Sequence, residues 1–136
     1  MKDKPKILVI DDEQKVLDLV GFRLQTLGYE VITATRGEDA LPLVEEHEPD
    51  LVILDVTMPG VDGLTVCSRL KESDAFGSIP ILMLTARSDV EDVNKAMAAG
   101  ADDYIVKPYD ATVLQMKIRQ YIHRDKAVAG RVRNDA

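Results

Sequence analysis

The sequence predicts an α/β domain: a five-stranded parallel sheet with helices on both faces. Short apolar runs alternate strictly with longer amphipathic segments, giving five β–α pairs. The chain has 136 residues, the size of one ordinary domain. Parallel neighbours need right-handed crossovers, and the segments between the apolar runs supply them as helices.

The elements follow in order. Lys6-Ile-Leu-Val-Ile10 is continuously apolar after its lysine, as in a strand buried on both faces. Residues 13–27 place Val16, Leu17, Val20, Leu24 and Leu27 at helical spacing, and Gly28 stops the helix. Tyr29 to Ala34 is β-branched and partly alternating, which suits a strand. Residues 37–47 read as a second helix carrying Ala40, Leu41 and Val44, with Pro49 ending it. Leu51-Val-Ile-Leu54 is the next buried strand, between Asp50 and Asp55. Thr57 to Gly63 holds a proline and two glycines and is a loop. Leu64, Cys67 and Leu70 share one helical face. Residues 79–84 form a fourth strand, with Pro80 near its start, where a missing N–H does least harm. Residues 88–99 form a helix through Val90, Val93 and Met97 that ends at Gly100. Tyr104-Ile-Val106 is a short fifth strand, and residues 110 to about 124 carry Leu114, Ile118, Tyr121 and Ile122 on a last helix. The domain is expected to cover residues 1–124, with 125–136 a C-terminal tail or the start of a linker.

Composition narrows the function classes. Apolar residues are 46% and charged residues 30%, as in soluble globular domains. The longest apolar runs are four to six residues, too short to span a bilayer or to form the core of a signal peptide. One cysteine, Cys67, rules out an internal disulfide framework and a cysteine zinc site. These features favour the cytoplasm. The formal charge of −7 argues against a domain that holds nucleic acid by its phosphates, and 4% aromatics without tryptophan argue against base stacking. The expected partner is a protein or a cation, with no direct nucleic acid and no membrane.

The polar residues collect at one place. Asp11 and Asp12 follow the first strand, Asp55 the third, Thr85 the fourth and Lys107 the fifth. In a parallel sheet all of them emerge at the carboxyl edge, where open α/β sheets place their ligands. Carboxylates within about 5 Å repel by roughly 3 kcal/mol per pair at an effective dielectric near 20, so the cluster needs a proton or a cation. Oxygen ligands without histidine or thiolate favour a hard ion such as Mg²⁺. A carboxylate beside Mg²⁺, a lysine and a hydroxyl is suited to receiving a phosphoryl group, with Asp55 attacking in line. Singly, each residue has a plain structural role: Asp11-Asp12-Glu13 as a helix cap, Asp55 as a turn former, Thr85 as a cap and Lys107 as a surface charge. Those roles do not explain the common register at four strand ends.

Ile10-Asp-Asp-Glu13, Leu54-Asp-Val-Thr-Met-Pro-Gly-Val-Asp-Gly63, Leu84-Thr-Ala86 and Gly100-Ala-Asp-Asp-Tyr-Ile-Val-Lys-Pro-Tyr109 resemble the receiver domain of bacterial response regulators in two-component signalling. The resemblance runs from about Lys6 to Arg124. It implies a (βα)5 flavodoxin-like fold with strand order 2-1-3-4-5. It implies that Asp55 is the phosphoacceptor, charged from a phosphohistidine on a sensor histidine kinase or phosphotransfer protein. Asp12 would ligate Mg²⁺ directly and Asp11 mainly through water, with Asp55 and the Thr57 carbonyl completing the ligands. Lys107 would pair with the phosphoryl oxygens, and its bond to Pro108 would be cis. Thr85 and Tyr104 would form the switch, Tyr104 turning inward once Thr85 moves. Ala86 would leave the site accessible, and Pro59 and Gly63 would shape the loop after Asp55. Such a domain is a switch rather than an enzyme, although it assists its own phosphorylation and dephosphorylation. Its helix 4–strand 5–helix 5 surface would change to control an output protein or effector domain, and a homodimer through that surface is a further expectation. Asp102 and Asp103, with Lys95 and Lys117, resemble charges that some DNA-binding relatives use to dimerise. Val113 stands where those relatives often carry an acid.

Three other readings compete. A phosphatase with an aspartyl nucleophile wants a second acid two residues after it, but Val56 and Thr57 follow Asp55. A nucleotide or flavin binder wants a glycine-rich loop after Ile10, which is absent. A degenerate docking module would lack site residues, and all are present. Cys67, Tyr29, Tyr109 and Tyr121 read as packing residues, and His47 and His123 as ordinary residues near helix C-termini.

Overall fold

The computed structural model describes residues 4–85, 90–107 and 109–122. Strands β1 (Lys6–Ile10), β2 (Glu30–Ala34), β3 (Leu51–Asp55), β4 (Ile81–Thr85) and β5 (Asp103–Val106) form one parallel sheet in the order β2-β1-β3-β4-β5. Helices α1 (Gln14–Thr26), α2 (Ala40–His47), α3 (Gly63–Glu72) and α4 (Val90–Ala98) connect them, and residues 111–122 form α5. This is the architecture and strand order expected from the sequence.

The sheet divides the core into two layers because alternate residues on a strand face opposite ways. Ile7, Val9, Leu51, Ile53, Leu82, Leu84 and Ile105 pack with Leu17, Val20 and Leu24 of α1 and Leu114, Ile118 and Ile122 of α5. Leu8, Ile10, Val52, Leu54, Ile81 and Met83 pack with Val44 of α2, Val66, Cys67 and Leu70 of α3 and Ala96 of α4. β3 and β4 are buried at every position, which is why their sequences read as unbroken apolar runs. Each such side chain contributes roughly 1.5–3 kcal/mol by leaving water. Burial also pushes the Cys67 thiol up to about 11, consistent with a packing residue.

Several element ends shift from the sequence reading, two of them by two or three residues. The second helix does not begin at Gly37: Gly37–Asp39 form a 3-10 turn, closed by the Asp39 N–H donating to the Arg36 carbonyl at 3.2 Å. The fourth strand begins at Ile81, not Ile79, because the Ile79 N–H is drawn back into a turn onto the Phe76 carbonyl at 3.1 Å. The Pro80 carbonyl still accepts the Val52 N–H at 3.0 Å, so the proline costs the sheet no acceptor. α2 ends at His47, as expected; the Glu48 backbone then turns left-handed at φ 47, ahead of Pro49. The expectations for Ala86, the cis bond at Pro108, His123 and the 125–136 tail lie outside the described residues.

Candidate functional site

The strand-end residues converge. Asp11, Asp12 and Asp55 each bring a carboxylate oxygen within 4.8 Å of the others. Lys107 Nζ donates to Asp11 Oδ2 at 2.7 Å and lies 3.4 Å from Asp55 Oδ2. Asp11 is fully buried and Asp55 and Thr85 nearly so, while Asp12 is exposed and faces the solvent side of the cluster.

Backbone bonds fix each member. The Asp11 N–H donates to the Ala34 carbonyl at 3.1 Å, carrying the β1–β2 pairing one residue past the strand. Asp11 Oδ1 accepts the Glu13 N–H at 2.9 Å, a local turn. The cap position of α1 is Glu13, and its side chain makes no capping bond. The acidic pair therefore does not serve as the helix cap that a plain reading would assign. The Lys107 N–H donates to the Thr85 carbonyl at 2.6 Å, which continues the β4–β5 pairing and sets the lysine beside the threonine.

The loop after Asp55 is held as tightly. The Val56 N–H donates to the Leu84 carbonyl at 2.9 Å, and the Gly63 N–H returns to the Val56 carbonyl at 3.0 Å. Gly63 lies so close to the Asp55 carbonyl that any side-chain carbon there would collide with it. Asp62 caps α3 by accepting the Thr65 N–H at 2.9 Å. Thr57 donates its N–H to Asp55 Oδ1 at 3.3 Å.

The charges are unevenly matched. Burial, then the negative charge of Asp11, push the Asp55 carboxyl up to about 6, and Lys107 and the Thr57 N–H only partly offset this. Burial works against the Lys107 ammonium, but its bond to Asp11 and the two carboxylate charges outweigh that and raise its pKa. One ammonium thus serves two buried carboxylates, and a third stands at the mouth. An all-oxygen donor set with surplus negative charge fits a hard divalent ion.

Tyr104 is half-buried and packs against the layer of α2, α3 and α4. Lys117 Nζ stands 4.9 Å from its ring centroid and donates to the Tyr104 carbonyl at 2.7 Å and to Asp103 at 3.0 Å. Sequence reasoning missed this ammonium over the ring; the spacing between Tyr104 and Lys117, from a strand to the next helix, gives no local signal. It also missed the Asp62 cap, which the Asp62-Gly-Leu-Thr65 order ahead of an apolar helix could have revealed. Asp102 and Asp103 are engaged inside the chain. Asp102 accepts from Lys71 at 2.7 Å, and Asp103 from Lys117 and from the Tyr121 hydroxyl at 2.9 Å. Tyr121 is therefore more than a packing residue.

The response regulator receiver domain family matches residues 7–119. The chain belongs to that family. It is 49% identical over 126 residues to "Probable transcriptional regulator ycf27" of Porphyridium aerugineum, across 91% of this chain and 51% of that one. It is 42% identical over 120 residues to the transcriptional regulatory protein AfsQ1 of Streptomyces coelicolor, across 88% of this chain and 52% of the relative. The receiver domain spans about half the length of these curated relatives. A response regulator crystal structure from Chloroflexus aurantiacus superposes with a TM-score of 0.86 at 35% identity, covering 89% of this chain and 99% of that one. The chain is a two-component response regulator receiver domain, and the curated relatives it matches are transcriptional regulators. Among the described residues no helix is long and apolar enough to cross a membrane.

Proposed function

We propose that this receiver is a phosphorylation-activated switch in which Asp55 takes a phosphoryl group from the phosphohistidine of a sensor histidine kinase or phosphotransfer protein. The observation that carries the reading is the shared ammonium: Lys107 Nζ bridges the buried Asp11 and Asp55 of a carboxylate cluster. An Asp55 oxygen attacks phosphorus, the phosphorus–nitrogen bond breaks, and the imidazole leaves with the electron pair. With its pKa near 6, Asp55 is mostly ionised at neutral pH and ready to attack. Lys107 would follow the new charge onto the phosphoryl oxygens, and the Thr85 hydroxyl would donate to one of them.

Asp12, Asp55 and the Thr57 carbonyl would hold Mg²⁺, with Asp11 acting through water. The bound ion would neutralise charge on the phosphoryl oxygens. A groove of about 460 Å³ beside Lys107, lined by Val16, Leu19, Arg23, Tyr109 and Ala111, gives the donor protein an apolar surface to meet. Phe22, 72% exposed on the same helix, adds to it.

The output face is α4, β5 and α5. When Thr85 turns to the phosphoryl group, Tyr104 would move inward into the space left, reshaping that face for an effector domain or partner. A homodimer on it would lean on the exposed Met97, Val113 and Met116, because Asp102 and Asp103 already have partners within the chain.

The test is incubation with acetyl phosphate and Mg²⁺, read by intact mass. The wild type gains one labile phosphoryl group and Asp55→Asn gains none. Uptake by Asp55→Asn, or rapid turnover of the reagent without a retained group, would overturn the reading, the latter in favour of a phosphatase.

A further inference from the structure

The loop carrying Thr57 is gripped from a side unrelated to the strand ends. Gly37, in the turn after β2, presses on the Val61 carbonyl so closely that a side-chain carbon at Gly37 would clash with it. The next residue, Glu38, lays its carboxylate along the Gly60–Val61 peptide. A side-chain carbon at Gly60 would stand 3.3 Å from Glu38 Oε1, 3.6 Å from Oε2 and 3.7 Å from Cδ. Arg36 holds the other side of that carboxylate, its Nη2 donating to Glu38 Oε2 at 2.7 Å. The pair is too exposed for the ion pair to add much stability. Its location is what matters. The Val56 N–H ties the start of the loop to β4 and the Gly63 N–H ties its end back to Val56, while the Arg36–Glu38 clasp meets the middle of the loop.

We propose that Glu38 is a positioning residue for the phosphoacceptor site: it clasps Gly60–Val61, and so holds the Thr57 carbonyl where a divalent ion needs it. The inference rests on the phosphoacceptor reading above and deepens it. The bond Arg36 makes, followed by Glu38's own N–H and that of Val61, holds the Glu38 carboxyl below the usual range, as a clasp closed on ionised Glu38 requires. Neither Glu38 nor Arg36 touches the carboxylate cluster, so their effect must pass through the loop backbone. A carboxylate at 38 accepts from both Arg36 and the loop. An amide at 38 keeps the carbonyl acceptor and loses the charge, whereas alanine loses both.

The test is direct Mg²⁺ titration by calorimetry on wild type, Glu38→Gln and Glu38→Ala, with hydrogen exchange across residues 56–62 and a thermal melt of each metal-free protein. Loss of a residue that supports a metal ligand costs about 10- to 100-fold in affinity, and with one ligand of several displaced the lower end applies to Glu38→Ala, about tenfold. Glu38→Gln should stay within about threefold of wild type. Exchange of the 56–62 amides should quicken in Glu38→Ala while the metal-free melting temperature holds. Wild-type affinity and exchange in Glu38→Ala would overturn the clasp, as would Glu38→Gln falling as far as Glu38→Ala. A wild type that binds no Mg²⁺ would instead overturn the phosphoacceptor reading beneath it.

Discussion

The two edges of the sheet handle charge in opposite ways. At the amino edge, Lys71 Nζ donates to Asp102 Oδ2 at 2.7 Å and to the Ile79 and Gly77 carbonyls at 2.8 and 3.3 Å. Asp102 Oδ2 also accepts the Ile81 N–H at 2.8 Å. Lys6 does similar work at β1: its N–H donates to Asp50 at 2.7 Å and its Nζ to the His47 carbonyl at 3.1 Å. Cations and anions match there, and backbone groups saturate what remains. At the carboxyl edge one ammonium serves two of three clustered carboxylates, and Asp55 is left with its pKa raised to about 6. The same sheet thus carries one edge whose charges are matched and one left with surplus negative charge, where a cation would gain most.

The largest expected effect breaks the carboxyl edge alone. Lys107→Met removes the ammonium that bridges Asp11 and Asp55, and the rate of phosphoryl uptake from acetyl phosphate should fall about 100-fold. Circular dichroism should show the fold retained. Next is Asp102→Ala, which leaves the Lys71 ammonium and the Ile81 N–H short of a partner. Urea unfolding should show a loss of about 2 kcal/mol, with phosphoryl uptake at the wild-type rate. A slowed uptake in that variant would mean that the two edges are coupled. The smallest effect is at Glu30, more than half exposed and 3.7 Å from Lys6. Glu30→Ala should change stability by no more than about 0.5 kcal/mol by the same assay.

This contrast explains what the sequence made legible. Strands β1, β3 and β4 are buried on both faces, so apolar runs announce them, and each places its last residues at one edge. Asp11, Asp55, Thr85 and Lys107 could therefore be assembled from topology alone. The amino edge was not legible. Lys71 and Asp102 are 31 residues apart, and their meeting depends on how α3 and the 73–80 turn return to β4. The family resemblance offered Asp102 as a charge that some relatives use to dimerise; within the chain it pairs with Lys71. The 3-10 turn at Gly37 was hidden for a similar reason. The turn packs on Val61, a residue of another loop, which no local pattern announces.

The most direct measurement is unfolding free energy against pH for wild type and Asp55→Asn, without divalent ions. Asp55 titrates near 6 in the folded chain against an ordinary 3.8, so between those values the folded state holds a proton that the unfolded state has lost. Its contribution to stability therefore falls as pH rises from about 4 to about 6 and stays low above that. Asp55→Asn should be more stable than wild type by about 1–2 kcal/mol above pH 7, after allowance for solvent screening, with the gap closing toward pH 4. A wild type as stable as Asp55→Asn at neutral pH, or two parallel curves, would contradict a carboxyl edge held in electrostatic tension.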